Sequence, residues 1–200
     1  ANILKFAYEH SIETHFIGSG SNLLVADSGI DGIVLTPAKA LTHLEFTGGH
    51  VVAESGVMLG RLVKECVKRN LTGVESLIGV PGTLGGALVM NAGAFGGEIS
   101  NYLKSVEIMN MSGTVNIFSP GDIDFSYRFS TIKPDEFVLQ ARFELKEEDP
   151  EIIQEKRNKA SKGRKTHQPL RFRSAGSVFK NPEENAAGYL IDQAGLKGTK

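Results

Sequence analysis

A stretch of 24 residues, 74–97, constrains the fold of this chain more than any other part of it. Its sequence, VESLIGVPGTLGGALVMNAGAFGG, contains seven glycines, one proline and almost no charge. Glycine at this density lets the backbone adopt positive φ and approach a ligand closely. Apolar residues lie between the glycines, whereas a solvated linker would be polar. A buried turn without a ligand is one interpretation. We favour a cradle for phosphate-bearing or planar cofactor groups, because backbone N–H groups bind anions.

The composition is typical of a globular protein with one large or two small domains. The 200 residues are 40% hydrophobic and 22% charged, with a formal net charge of −1, so the charge does not favour a nucleic acid or a membrane surface as a partner. The apolar runs are shorter than the roughly 18 residues of a membrane-spanning helix. A single cysteine, Cys66, fits a reducing compartment. We therefore expect a cytoplasmic protein. We also expect a monomer.

The periodicity of apolar residues predicts an α+β fold with a substantial antiparallel sheet. The predicted helices are 2–10, which Asn2 could cap, 58–70, 151–165 and one that starts at 189–194. The predicted strands are 16–17, one that begins at 33, a hairpin that turns at Gly48-Gly49, a second hairpin in which Ser112-Gly113 joins 105–109 to 114–118, and 136–145. The charged helix 151–165 is interpreted as a solvent-facing connector into another domain.

A second glycine-rich loop, GSGSNLL, occupies residues 18–24. It begins like the dinucleotide-binding fingerprint G-x-G-x-x-G, but the sixth position is Leu23 and a strand pattern follows instead of a helix. A Rossmann site is therefore not predicted, and the Walker A pattern is absent from the sequence as well. Taken alone, the loop fits an ordinary turn as well as it fits a ligand-binding loop.

Two polar residues in small-residue surroundings are candidates for chemistry. Arg128 lies among aromatic and serine residues, where it fits a packed surface group and a bidentate carboxylate ligand equally well. Ser177 follows Gly176 without the G-x-S-x-G pattern of a hydrolase nucleophile. It could donate a proton, with Lys180 nearby to bind an anionic substrate, or it could belong to a plain turn. The five histidines show no spacing of a metal pair, so we predict no metal site.

Five motifs, in this order along the chain, resemble those of the MurB family of UDP-N-acetylenolpyruvoylglucosamine reductases. The resemblance covers essentially the whole chain, and its specificity comes from the ordered set and not from any single motif. The motifs are GSGSNLL (18–24), GVPGTLGGA (79–87), NAGAFGG (91–97), YRFS (127–130) and SAGSVFKNP (174–182).

The resemblance implies an FAD-binding fold of the vanillyl-alcohol-oxidase (PCMH) type, with a separate substrate domain. Residues 1–40 resemble most of a first FAD-binding subdomain, 41–146 a second subdomain, and 147–200 the beginning of the substrate-binding domain. The family's first segment and most of its substrate domain have no counterpart in these 200 residues, so we expect a piece of a longer protein. The short spacing between Arg128 and Ser177 resembles the subgroup without an inserted tyrosine-bearing loop.

The activity that the resemblance implies is reduction of UDP-N-acetylglucosamine enolpyruvate to UDP-N-acetylmuramate, with NADPH as electron donor, in peptidoglycan precursor synthesis. Hydride transfer to the β-carbon of the enolpyruvyl ether builds negative charge towards the carboxylate, and Arg128 matches the family's arginine that stabilises it. Ser177 matches the serine that protonates the α-carbon. The family's third catalytic group, a glutamate, would lie beyond Lys200, so we expect the 200 residues alone to be inactive or badly impaired.

The resemblance also supplies the binding residues. Tyr127, Lys180 and Asn181 match groups that contact the UDP-sugar. The residues that match the FAD-binding loops are Gly18, Ser19, Gly20, Ser21, Asn22, Leu23, Gly79, Val80, Pro81, Gly82, Thr83, Gly86, Asn91, Gly93 and Ala94.

Two other functions are compatible with parts of this pattern. An FAD-linked oxidase of the same fold, acting on an alcohol or a hydroxy acid, would share the glycine-rich cradle but should lack the YRFS and SAGSVFKNP motifs. A catalytically silent module would bind flavin or a UDP-sugar without turnover.

Overall fold

The computed structural model describes residues 1–167 and 177–199. The helices are α1 (Asn2–Glu9), α2 (Leu59–Lys68), α3 (Leu84–Val89), α4 (Pro150–His167) and α5 (Ala187–Gln193). The strands are β1 (Thr14–Phe16), β2 (Ile33–Leu35), β3 (Leu44–Thr47), β4 (His50–Glu54), β5 (Leu71–Thr72), β6 (Gly93–Ala94), β7 (Gly97–Glu98), β8 (Leu103–Met109), β9 (Val115–Phe118), β10 (Phe125–Ser126), β11 (Phe129–Ser130), β12 (Phe137–Glu144) and β13 (Lys146–Glu147). Within these described ranges, none of the helices is both long and apolar enough to cross a membrane.

The central sheet has five antiparallel strands in the order β3-β4-β12-β8-β9. Two predicted hairpins form it. The β3–β4 hairpin turns at Gly48-Gly49, where Gly48 has a φ of 56°, and the β8–β9 hairpin turns at Ser112-Gly113, where Gly113 has a φ of 84°. Positive φ favours glycine at both turns. Because β12 pairs with both hairpins, it joins them into one sheet, and the α+β prediction is confirmed.

One face of this sheet packs against α2. Period-2 alternation directs Val51 and Ala53 of β4 and Phe143 of β12 to the interior, where all three are buried. The amphipathic helix α2 buries Leu59, Leu62, Val63 and Cys66 in the same core. The predicted helix 58–70 is confirmed with slightly narrower bounds.

The glycine-rich stretch contains a helix that the sequence did not predict. Six residues form α3, in which Gly85 N–H donates to the Ser55 carbonyl at 2.8 Å and Leu84 N–H donates to the Val57 carbonyl at 2.8 Å. A Cβ on Gly85 would lie 3.0 Å from the Ser55 side chain, so glycine permits this close approach. The glycines therefore bring α3 against the segment between β4 and α2.

Two helix predictions need correction. Asn2 is the first residue of α1 and not its cap, which is Ala1. Of the apolar residues Ile3, Leu4, Phe6 and Ala7, which predicted this helix, only Leu4 and Ala7 are buried. Helix α4 is not a purely solvent-facing connector. It buries Ile153 and Ala160 and packs on the 3₁₀ turn Glu75–Leu77. Sparse apolar positions in a charged helix are enough to dock it when a complementary surface is present.

Candidate functional site

Two glycine-rich loops meet beside the central sheet. The loop after β1 contains Gly18 and Ser21, and the loop before α3 contains Gly82 and Thr83. The hydroxyl of Thr83 is too close to the position that a Cβ on Gly18 would take for a side chain to fit there, and a Cβ on Gly82 would lie 3.2 Å from Ser21 Oγ. The parallel pairing of β1 with β2 holds the first loop. Glycine at positions 18 and 82 thus lets the two loops pack against each other, and Gly82 also adopts a positive φ of 124°.

The loops form one wall of a cavity of about 730 Å³. This cavity brings together predicted site residues from all five motifs. The predicted site residues that line it are Gly18, Ser19, Gly20, Ser21, Asn22, Leu23, Val80, Pro81, Gly82, Thr83, Gly86, Gly93, Ala94, Tyr127, Arg128, Ser177, Lys180 and Asn181.

Two predicted cofactor-binding residues, Gly79 and Asn91, are not among the described residues that line the cavity. Gly79 adopts a φ of 71° and lies against the side chain of Arg164. Asn91 is completely buried and has a φ of 40°. Its Nδ2 donates to Glu98 Oε2 at 2.8 Å and to the Ser126 carbonyl at 3.1 Å. Asn91 thus joins the β6–β7 turn to the β10–β11 hairpin behind the cavity wall.

Arg128 occupies the turn of the β10–β11 hairpin. Its φ of 55° is uncommon for a residue with a side chain. The guanidinium Nη2 donates to the Gly93 carbonyl at 2.8 Å, and the guanidinium carbon lies 5.1 Å from the centre of the Tyr127 ring. Ser130 attaches the hairpin to the end of α3, because its buried Oγ donates to the Val89 carbonyl at 2.8 Å. These contacts hold the half-buried cation at the cavity edge.

The segment 177–181, which follows the undescribed residues 168–176, also lines the cavity. Ser177, Lys180 and Asn181 are exposed and line the cavity. Asn181 Oδ1 accepts a hydrogen bond of 3.0 Å from Ala187 N–H, at the beginning of α5. Of the motif SAGSVFKNP, residues 174–176 lie outside the described residues.

Charge in the cavity is unevenly distributed. Among the residues that the structure describes, its lining contains the cations Arg128, Arg164 and Lys180 and the single acid Glu136. The cavity is therefore cationic in a chain whose formal net charge is −1. Burial lowers the pKa of Arg164 from its usual value. Such a site suits an anionic ligand.

Two buried hydroxyls at the cavity wall lack hydrogen-bond partners within the described part of the chain. Thr83 and Ser55 are each only 1% exposed, and neither Thr83 Oγ1 nor Ser55 Oγ has a partner there. Buried polar groups without partners are uncommon in native proteins and call for an explanation. Together with the close-packed glycines and the cationic lining, they make this cavity chemically suited to a polar, phosphate-bearing cofactor.

Among the polar and charged residues of the described lining, sequence reasoning missed three: Ser55, Glu136 and Arg164. Arg164 lay within the charge run EIIQEKRNKASKGRK, which resembles any solvated helix face. Ser55 ended a strand pattern without any motif around it. Neither carried a local signal, because each reaches the cavity only through tertiary packing.

Comparison with known proteins agrees with this geometry. Residues 1–119 match the family described as FAD binding domain, and residues 168–200 match the family described as UDP-N-acetylenolpyruvoylglucosamine reductase, C-terminal domain. The fold and the cavity therefore define an FAD-binding protein of the PCMH type.

Individual relatives identify the family. The UDP-N-acetylenolpyruvoylglucosamine reductase of Clostridioides difficile is 42% identical over 198 residues, and that of Exiguobacterium sibiricum is 40% identical over 198 residues. Each match covers 98% of this chain. The crystal structure of the reductase MurB from Thermus caldophilus matches with a TM-score of 0.85 and 35% identity, covering 98% of this chain and 71% of that one. The chain belongs to the UDP-N-acetylenolpyruvoylglucosamine reductase (MurB) family. It spans 65% of the length of these two relatives.

Proposed function

We propose that the protein containing this chain reduces UDP-N-acetylglucosamine enolpyruvate to UDP-N-acetylmuramate, with FAD as cofactor and NADPH as electron donor, in peptidoglycan precursor synthesis. The observation that carries the proposal is the single cavity lined by both glycine-rich loops, Arg128 and Ser177. The family membership supports the same reaction.

The glycine-rich loops would hold the cofactor. Gly18 and Ser21 on one loop, with Gly82 and Thr83 on the other, line the cavity and would offer backbone amides and hydroxyls to the cofactor's phosphates. When bound, FAD supplies hydride transfer between NADPH and the substrate. Gly79 and Asn91, which lie outside the lining, would act by shaping the loops and not by contact.

Arg128 would bind the carboxylate of the enolpyruvyl group. Addition of hydride to the β-carbon of the ether leaves negative charge at the α-carbon and its carboxylate. A guanidinium already oriented by the Gly93 carbonyl and the Tyr127 ring stabilises that charge without having to reorganise. Its remaining N–H donors are available for bidentate contact with a carboxylate.

Ser177 would deliver a proton to the α-carbon. A hydroxyl is a weak acid, but the carbanion that develops at this carbon is a strong base, so the transfer is favourable once the two are in contact. Ser177 lines the same cavity as Arg128, consistent with action on one substrate. Lys180 and Asn181 would contact the UDP-sugar, and Tyr127 would pack against it.

The domain organisation belongs to the same proposal. Residues 1–40 and 41–146 would form two FAD-binding subdomains, and residues 147–200 would begin the substrate domain. We further propose a cytoplasmic monomer whose partners are small molecules and neither nucleic acid nor membrane. The reducing state implied by the single buried thiol, Cys66, supports the compartment.

The deciding experiment is an absorption spectrum of the purified full-length protein before and after NADPH is added without oxygen. Visible flavin bands that bleach with NADPH and return on addition of the enolpyruvyl UDP-sugar support the reductase. Bands that bleach only with an alcohol or a hydroxy acid identify an FAD-linked oxidase. Bands that neither donor bleaches identify a silent module, and a colourless protein that takes up no FAD would remove the basis of the proposal.

A further inference from the structure

Arg164 enters the cavity from a helix that otherwise carries surface charge. Its Cδ and Nε lie 3.1 and 3.2 Å from the position that a Cβ on Gly79 would take. Its guanidinium carbon lies 5.9 Å from the centre of the Phe95 ring. The preceding residue, Gly163, packs so closely on that ring that its own Cβ would lie 2.6 Å from a ring carbon. Glycine at 163 thus lets α4 approach the cavity and carry Arg164 into its wall.

This placement has an electrostatic cost. The guanidinium is half-buried, and burial lowers its pKa. Two other cations, Arg128 and Lys180, line the same cavity. Glu136 is the one acidic side chain in the described lining, so positive charge is in excess there. A ligand with negative charge would offset this excess of positive charge.

The chemistry of the Arg164 side chain indicates which kind of anion it binds. Guanidinium is planar and always charged, and it matches phosphate oxygens in bidentate geometry. Gly79, against which the Arg164 stem packs, opens the loop that contains Gly82 and Thr83. Residues 80–83 of that loop line the cavity. Arg164 therefore lies next to the wall that is most suited to phosphate.

We infer that Arg164 is a phosphate-binding residue of this cavity. The inference rests on the proposed function, in which two ligands carry phosphate: the FAD cofactor and the UDP-sugar. A charge-assisted hydrogen bond to a phosphate in a half-buried site implies a loss of about tenfold to a hundredfold in affinity when the cation is removed.

The test compares ligands with and without phosphate. The full-length protein and its Arg164→Met variant are titrated as apoproteins with FAD and with riboflavin, and as FAD-loaded proteins with UDP-N-acetylglucosamine. A loss of about tenfold or more for FAD, with riboflavin unchanged, supports contact with the cofactor's phosphates. A loss of that size for UDP-N-acetylglucosamine, with FAD unchanged, supports contact with the nucleotide-sugar's phosphates. Equal losses for FAD and riboflavin, or unchanged affinity for every ligand, overturn the inference.

Two further variants separate binding from packing and from general charge. Arg164→Lys keeps the charge and the stem, so it should retain more phosphate-dependent affinity than Arg164→Met. Lys165→Met removes the same charge from an exposed neighbouring position outside the lining and should leave all affinities unchanged. If the wild-type protein binds neither flavin, the proposed function fails, and the titration with UDP-N-acetylglucosamine is then done on the apoprotein to decide the role of Arg164.

Discussion

The guanidinium of Arg128 donates a 2.8 Å hydrogen bond from Nη2 to the carbonyl oxygen of Gly93. Gly93 lies in one of the predicted cofactor motifs, and Arg128 lies 35 residues further along the chain. The bond therefore ties one of the cavity's cationic groups to the backbone of a motif predicted to bind the cofactor. Preorganisation of this kind is what electrostatic stabilisation of a developing charge requires.

Replacing Arg128 with methionine should lower kcat of the full-length protein by about a hundredfold to a thousandfold, because a fixed charge that stabilises the transition state is lost. Bound flavin should remain. The measurement is NADPH oxidation with the enolpyruvyl UDP-sugar. The matched control is Arg61→Met, since exposed Arg61 also donates to a carbonyl, that of Thr42, but lies outside the cavity lining. Equal kinetics for the two variants would exclude a catalytic role for Arg128.

Replacing Ser177 with alanine should affect only the half of the reaction in which the substrate gains its proton. Reduction of the bound cofactor by NADPH should keep its rate, and reoxidation by the enolpyruvyl substrate should slow by about a hundredfold or more. Anaerobic stopped-flow absorbance separates the two phases. Ser112→Ala, at an exposed turn, serves as control. Slowing of both phases together would indicate a general structural effect and contradict the proton-donor role.

Replacing Gly18 with alanine should decrease the free energy of unfolding by about 1–3 kcal/mol, because the new Cβ would overlap the Thr83 hydroxyl. Thr83→Ala removes a buried hydroxyl that has no hydrogen-bond partner in the described part of the chain, so it should cost little. The double variant should recover part of the loss, which is measured by urea denaturation of all four proteins. Gly60→Ala, in open space on α2, should be neutral or stabilising. Strict additivity would show that the two loops do not touch here.

Replacing Asn91 should destabilise the protein, because Asn91 links Glu98 of β7 to Ser126 of β10. Asn91→Ala leaves the Glu98 carboxylate and the Ser126 carbonyl without their donor, at a cost of about 1–3 kcal/mol in unfolding free energy. Asn91→Asp should cost more at neutral pH, since two carboxylates then adjoin, and part of that excess should disappear in acid. Urea denaturation at pH 5 and pH 8 checks this. The control is Asn158→Ala, at an exposed position of α4. Equal stability of this control and the two Asn91 variants would contradict the expected loss of unfolding free energy.

The thiol of Cys66 should resist modification in the folded protein. Burial raises its pKa to about 12 from an ordinary value near 9. The raised pKa means that the thiol's contribution to stability is present below about pH 9 and is lost as the pH rises towards 12. The unfolding free energy of the wild type, compared with Cys66→Ala, should fall by about 1.4 kcal/mol for each pH unit above 9. An aromatic disulfide reagent should react with Cys66 only after urea is added, and rapid reaction with the native protein would refute this.

The local elements of the fold were predictable from the sequence because they depend on short-range patterns. Alternation around Gly48-Gly49 and around Ser112-Gly113 predicted both hairpins, and the apolar stripe from Leu59 to Cys66 predicted α2. Helix α3 was missed, since a glycine-rich hexapeptide has low helix propensity. Tertiary contacts stabilise it, namely hydrogen bonds to Ser55 and Val57 and the burial of Leu84 and Leu88 in the core.

The sequence by itself determined the glycine-rich loops, the order of the five motifs and the identities of Arg128 and Ser177 as candidates. Only the tertiary structure decided which of these residues share one cavity, that Gly79 and Asn91 lie outside its lining, and that Ser55 and Arg164 lie within it. The physical reason is that glycine and turn patterns act between neighbours in sequence. The charge and shape of a cavity depend instead on contacts between distant segments, such as Gly163 against Phe95, and these form only when the sheet and its helices pack.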